Sequence, residues 1–144
     1  EIEIAGWVVA ADVERTKKTY ASIASGGSEK CKCTGCRNFR AILATAFPRQ
    51  VYDFFAEAGI DPGKDAEVYE FGETSPGIHA YGGEYYLWAS VVREPSKETE
   101  LAPGFRLAFT SRSPLAQTEF RSDGALCFFF EAKFPWVSEN EQHA

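Results

Sequence analysis

Residues 78–92 read IHAYGGEYYLWASVV, and this stretch indicates a fold built around a β-sheet. Aromatic and β-branched residues dominate it, which is typical of a central strand with both faces packed. Gly82 and Gly83 predict a bulge or bend in that strand. A second stretch, ALCFFFEAKF at residues 125–134, alternates along its length and predicts another strand. Cys127 then falls on the side opposite to the main aromatic row.

Shorter runs of β-branched and aromatic residues predict the other strands. We expect them at residues 2–9, 13–24, 66–71 and 105–110. Together with the two longer runs they predict a sheet of about five or six strands.

Two adjacent helices are predicted between these strands. Apolar residues recur at helical spacing in residues 38–47 and again in residues 48–58. Gly59 suits a left-handed C-cap of the second helix, and Pro62 prevents its continuation. Because helices cluster and strands follow in a run, the expected class is α+β with a largely antiparallel sheet.

The 144 residues predict a single domain, 1–144, with a polar tail at residues 139–144. The net charge of −6 is uneven, with 8 basic and 5 acidic residues in the first 50 positions and 7 and 16 in the rest. An acidic chain disfavours non-specific binding to nucleic acid or to anionic membranes, so we expect neither as a partner. A protein or a small ligand is the expected kind of partner.

The stretch KCKCTGCRNF, residues 30–39, holds three of the four cysteines. Thiolates are soft ligands, and zinc takes four nitrogen or sulfur donors in a tetrahedron. Cys31, Cys33 and Cys36 therefore predict a zinc site that needs one more ligand. Cys127 and His79, the one histidine outside the tail, are the alternative fourth ligands.

Two other interpretations of the cysteines stay open. The first is a thiol-disulfide redox protein or redox sensor that uses Cys33 and Cys36. These two residues form a C-x-x-C before a helix, where nearby basic residues and the helix N-terminus favour a thiolate. The other is a loop of reduced thiols with no chemical role. Four cysteines are too few for a disulfide scaffold, which favours a reducing, cytoplasmic setting.

The aromatic strand offers a third function, a small-ligand site. Its side chains would come from residues 79–88, namely His79, Tyr81, Tyr85 and Trp88. The structural interpretation, in which these aromatics fill a two-sided core, is favoured. Motifs for phosphate-binding loops, serine hydrolases and zinc proteases are absent from the sequence. The acids interpreted as solvated and not catalytic are Asp61, Asp65, Glu67, Glu70 and Glu73.

Four motifs resemble those of a group of small bacterial proteins that contain a domain of unknown function. They are CKCTGCRNF at residues 31–39, GIDP at 59–62, HAYGGEYY at 79–86 and EAKFPWV at 131–137. The resemblance spans roughly residues 30–137, includes the C-x-C-x-x-C-x-N-F and F-P-W-V patterns, and implies a single α+β domain without bringing a known activity. We therefore expect a binding or interaction domain, not an enzyme, with a cysteine-rich loop.

Overall fold

The computed structural model describes residues 1–97, 100–111 and 116–138. The polar tail expected at residues 139–144 lies outside these ranges. The helices are α1 (Val13–Ser22), α2 (Gly27–Lys30), α3 (Thr34–Ile42) and α4 (Arg49–Ala58), with a 3₁₀ helix at Thr118–Phe120. The strands are β1 (Ile2–Ile4), β2 (Trp7–Ala11), β3 (Glu67–Ser75), β4 (Ile78–Arg93), β5 (Phe105–Ser111) and β6 (Ala125–Pro135). Within the described ranges, no helix is both long enough and apolar enough to cross a membrane.

The strands form one antiparallel sheet in the order β1-β2-β4-β6-β5, and β3 pairs with β4 beside this path. Strand β4 lies at the centre because its 16 residues pair with β6 on one edge and with β3 and then β2 on the other. The α+β class with an antiparallel sheet is confirmed. The strand predicted at residues 2–9 is instead the hairpin β1–β2, which turns at Ala5 and Gly6.

Aromatic rings fill the space between the sheet and helices α3 and α4. Phe55 of α4 packs its ring 4.7 Å from that of Tyr85 in β4 and 5.1 Å from that of Phe128 in β6. Phe47 packs 5.1 Å from Phe130 in the same way. Burying each such side chain contributes about 1.5–3 kcal/mol relative to leaving it exposed. Phe39 of α3 packs into this layer, 6.1 Å from the ring of Phe47, and thereby positions the helix that contains Cys36.

The two predicted helices are present, but the first has different bounds. The apolar pattern indicated residues 38–47, whereas α3 begins at Thr34 and ends at Ile42. Phe47 still reaches the core because the chain turns after α3 and brings its ring back onto the aromatic layer. Helix α4 ends as predicted at Gly59, which has the left-handed φ of 87°.

The strand predicted at residues 13–24 is wrong, because these residues form helix α1. Asp12 caps the helix, and its side chain accepts a hydrogen bond from the Arg15 backbone N–H at 3.1 Å. The buried stripe of the helix is Thr16 and Tyr20. The helical spacing of apolar residues was not apparent because a polar threonine occupies one of the buried positions.

Helix α1 also completes the sheet at a part of β4 that has no strand partner on one edge among the described residues. Residues 85–88 lie between the segments of β4 that pair with β3 and with β2. There the hydroxyl of Tyr20 donates to the backbone oxygen of Tyr86 at 2.7 Å. The backbone N–H of Trp88 donates to Oγ1 of Thr16 at 3.1 Å. Polar side chains of the helix therefore replace the missing ladder bonds.

The glycine pair of β4 does not produce the predicted bulge. Gly82 and Gly83 stay in register with β3, and the register shifts lie further along β3. The glycines instead leave room for a ring, because a Cβ on Gly83 would lie 2.6 Å from an atom of the Phe130 ring. Close packing against a neighbouring side chain explains these glycines.

Candidate metal centre

The three clustered cysteines lie at the junction of two helices. Cys31 follows α2, Cys33 is the N-cap of α3, and Cys36 lies in the first turn of α3. Their three sulfur atoms all lie within 4.8 Å of one another. The Sγ atoms of Cys31 and Cys33 are 3.3 Å apart. The helix junction therefore gathers three thiols at one point on the protein surface.

Helix capping places two of these sulfurs. The Sγ atom of Cys33 accepts a hydrogen bond from the backbone N–H of Cys36 at 3.3 Å, in the manner of an N-cap side chain. Such a cap directs the Cys33 sulfur toward the helix start. Cys36 follows in the first helical turn, so the C-x-x-C spacing brings both sulfurs to the N-terminus of α3.

A buried carboxylate places the third sulfur by anchoring α2. Asp65 accepts hydrogen bonds from the backbone N–H and the hydroxyl of Ser28 at 3.0 and 2.6 Å. The guanidinium of Arg40 lies 3.9 Å from the same carboxylate. These contacts fix α2 against the start of β3, and Cys31 leaves α2 in the direction of α3.

The sulfur arrangement fits a tetrahedral metal ion. Zinc–sulfur bonds of about 2.3 Å separate two sulfurs of a tetrahedron by about 3.8 Å. The observed separations, 3.3 Å for Cys31 and Cys33 and at most 4.8 Å for the set, bracket this value. Small side-chain rotations therefore suffice to bring all three thiolates onto one ion.

The three thiols differ in acidity. Hydrogen bonds from the backbone of Cys33 and from the thiols of Cys33 and Cys36 lower the pKa of Cys31. Burial, together with the two neighbouring sulfurs, raises the pKa of Cys36 well above its usual range. Cys31 and Cys33 are exposed, whereas Cys36 is buried. A small reagent should therefore react more readily with the exposed Cys31 than with the buried Cys36.

Neither of the fourth ligands expected from the sequence joins the three sulfurs. Cys127 is buried on β6 opposite Tyr86, on the sheet face that points away from α3. Burial and the nearby carboxylate of Glu84 raise the pKa of Cys127 to about 11. His79 lies on the same face as α3, but the group of ligand atoms within 4.8 Å contains only the three cysteines among the described residues.

His79 is held by two neighbours. Its Nδ1 atom lies 2.8 Å from Oε2 of Glu70, and its ring stacks on Trp136 at 4.1 Å. Glu70 in turn packs against Gly35, between the second and third cysteines of the motif. From the sequence alone, Glu70 is expected to be a solvated acid. The pairing of β3 with β4 brings Glu70 beside the histidine, and its contact with Gly35 places it beside the cysteine turn.

The aromatic side chains proposed for a small-ligand site contact other parts of the protein. The hydroxyl of Tyr81 donates to Gly35 and that of Tyr85 donates to Pro62, at 2.7 and 2.6 Å. Trp88 points to the opposite face of the sheet from both tyrosines. Tyr81 contributes to a surface groove of about 340 Å³, and neither Tyr85 nor Trp88 lines it. These contacts explain the burial of the aromatics without a ligand.

Comparisons of this chain with family models, with curated proteins and with solved structures found no match. The functional assignment therefore rests on the geometry of the three cysteines.

Proposed function

We propose that this protein is a binding domain in which Cys31, Cys33 and Cys36 hold a structural zinc ion. The observation that carries the proposal is the convergence of three sulfurs within 4.8 Å at the α2–α3 junction. Cysteine sulfur is a preferred ligand of zinc, and three such ligands occupy three corners of its tetrahedron.

A zinc ion at this place would add a direct link between α2 and α3. Helix α2 has only four residues, and the chain between it and α3 is exposed at Cys31 through Cys33. Bonds from one ion to both sides of the junction would fix the direction in which α3 starts. The exposed amines of Lys30 and Lys32 reduce the negative charge that three thiolates and Zn²⁺ leave behind.

Native mass spectrometry of the reduced protein tests the proposal. We expect one zinc ion per chain, lost on treatment with a chelator and recovered when zinc is added back. Cys33→Ser should abolish the zinc-bound mass, and Cys127→Ser, which removes a thiol on the other sheet face, should retain it. A wild-type protein that gains no zinc mass, with the exposed thiols of Cys31 and Cys33 open to alkylation, would refute the zinc site.

A second function is supported by the 3.3 Å separation of the Cys31 and Cys33 sulfurs and by the lowered pKa of Cys31. The Cys31 thiolate would attack a small disulfide such as oxidised glutathione and release one thiolate. Cys33 would then displace the second glutathione, so that the pair is oxidised and one disulfide is reduced. The sequence pointed to Cys33 and Cys36, but burial and the raised pKa of Cys36 favour the Cys31–Cys33 pair.

Zinc binding and disulfide formation change the mass of the chain in different ways. Oxidation lowers the mass of the chain by two hydrogens and is reversed by a reductant, whereas zinc adds the mass of one ion and is removed by a chelator. Cys36→Ser separates them further, because it removes one zinc ligand and leaves the Cys31–Cys33 pair intact.

A further inference from the structure

We infer that Glu70 is the fourth ligand of the metal ion and that His79 positions it. The inference rests on the proposed zinc site and names the residue that completes it. The ligand set would be three thiolates from the α2–α3 junction and one carboxylate oxygen from β3.

The first observation is the contact between Glu70 and the cysteine turn. A Cβ atom added to Gly35 would lie 2.7 Å from Cβ of Glu70 and 3.7 Å from its Oε1 atom. The glutamate side chain therefore lies against the turn that joins Cys33 to Cys36. Any larger residue at position 35 would push it away, which explains why a glycine stands there.

The second observation is the way in which His79 holds the carboxylate. Nδ1 of the imidazole lies 2.8 Å from Oε2, and Oε1 is the oxygen closer to Gly35. His79 is itself 8% exposed and stacked on Trp136, so its ring has little freedom to move. Carboxylate ligands of metals are commonly held by such a hydrogen-bonding partner, which sets their orientation.

Ligation requires one movement. The oxygens of Glu70 are not within 4.8 Å of all three sulfurs, because the group defined by that distance contains only cysteines. The Glu70 side chain is 25% exposed and can rotate about its own bonds, whereas Cys127 would have to cross the sheet. A carboxylate that moves toward Zn²⁺ while one oxygen keeps its histidine partner completes the tetrahedron with the least rearrangement.

Glu67 is the rival carboxylate, since its charge acts on Cys31. It pairs with Glu84 on the sheet, and strand alternation places it on the face opposite to Glu70. Burial and the charges of Asp65 and Glu84 raise the pKa of Glu67, so its surroundings hold other acids. Glu67→Gln is therefore the matched control for Glu70→Gln.

Zinc affinity, measured by competition with a chromophoric chelator, tests the inference. We expect Glu70→Gln and His79→Gln each to weaken zinc binding by more than about tenfold, in line with the loss seen when a partner of a metal ligand is removed. Glu67→Gln should change it less than about twofold. Because His79 acts through Glu70, the double variant should bind zinc no more weakly than Glu70→Gln alone.

Cobalt(II) gives a second measurement that does not depend on affinity. The thiolate charge-transfer band should persist in Glu70→Gln, while the d–d bands shift as water replaces the carboxylate. Glu70→Asp, which keeps a carboxylate, should recover part of the zinc affinity and serves as the test if the glutamine variant does not fold. Wild-type affinity and d–d bands in Glu70→Gln, or additive losses in the double variant, would overturn the inference while leaving the zinc site standing. A wild-type protein that binds no zinc would overturn both.

Discussion

The hydroxyl of Tyr81, on the central strand, donates a hydrogen bond to the backbone oxygen of Gly35 at 2.7 Å. Gly35 lies between Cys33 and Cys36, so this bond connects the middle of the sheet to the cysteine turn. The same hydroxyl lies 3.3 Å from the side-chain amide of Asn38 on α3. The central strand thus holds the backbone between Cys33 and Cys36 in place.

Tyr81→Phe removes this connection while keeping the ring. The oxygen of Gly35 keeps its bond within α3 but loses the second one from Tyr81, which we expect to lower the free energy of unfolding by about 0.5–1.5 kcal/mol. Urea denaturation measures the change. Tyr69→Phe is the control, because its hydroxyl lies on the other face of the sheet at 3.4 Å from Glu84. Equal effects of the two substitutions would contradict a special role for the bond to Gly35.

Thr16→Val tests the role of α1 in completing the sheet. Valine has nearly the same shape but gives the backbone N–H of Trp88 no acceptor. An unsatisfied buried N–H costs about 1–3 kcal/mol, so we expect that loss in the free energy of unfolding. The exposed Thr118→Val should stay within about 0.5 kcal/mol of the wild type. Indistinguishable urea midpoints for the two variants would show that another group satisfies Trp88.

Alkylation of the reduced, zinc-free protein should follow exposure and acidity. Iodoacetamide reacts with thiolates, so Cys31, with its lowered pKa, should be modified first. The buried thiols Cys36 and Cys127 should react only after unfolding. Peptide mapping by mass spectrometry gives the order, and added zinc should slow the reaction at Cys31. Modification of Cys36 as fast as Cys31 in the folded protein would contradict the geometry of the cluster.

Removal of zinc should lower the thermal stability. An ion that binds only the folded chain stabilises it by about 4 kcal/mol when its free concentration is 1,000 times the dissociation constant. A chelator should therefore lower the melting temperature of the wild type and of Cys127→Ser. The same chelator should not change the melting temperature of Cys33→Ser. A wild-type melting temperature that is the same with and without zinc would contradict a structural role for the ion.

The sequence predicted the parts of this molecule whose signals are local. Aromatic and β-branched content indicated β4, alternation indicated β6, and the cysteine spacing indicated the thiol cluster. Helix α1 was missed because Thr16 is polar although it is buried, where it accepts a hydrogen bond from the backbone of Trp88 in the sheet. Glu70 was missed as a candidate ligand because it meets His79 and Gly35 only through strand pairing and helix packing, which have no signature in the spacing of residues.

Asp65, which anchors α2 below the cysteines, should make stability depend on pH. Burial raises the pKa of Asp65, although hydrogen bonds from Ser28 and the charge of Arg40 lower it in part. A carboxyl group whose pKa is higher in the folded than in the unfolded state binds its proton more tightly when folded. Its contribution to stability is therefore complete below the ordinary pKa of 3.8 and declines as the pH rises through the raised value.

Asp65→Asn keeps the shape and an acceptor for the Ser28 N–H but cannot titrate. The free energy of unfolding of the wild type, relative to Asp65→Asn, should thus decrease as the pH rises above about 4 and then become constant. Urea denaturation from about pH 3 to pH 7 measures this difference, with Asp61→Asn, on the exposed side of the same loop, as the control for a lost surface charge. A difference that grows with pH would mean that the hydrogen bonds from Ser28 outweigh the cost of burying the charge, and Asp65 would then hold α2 as a carboxylate whose ionisation favours folding.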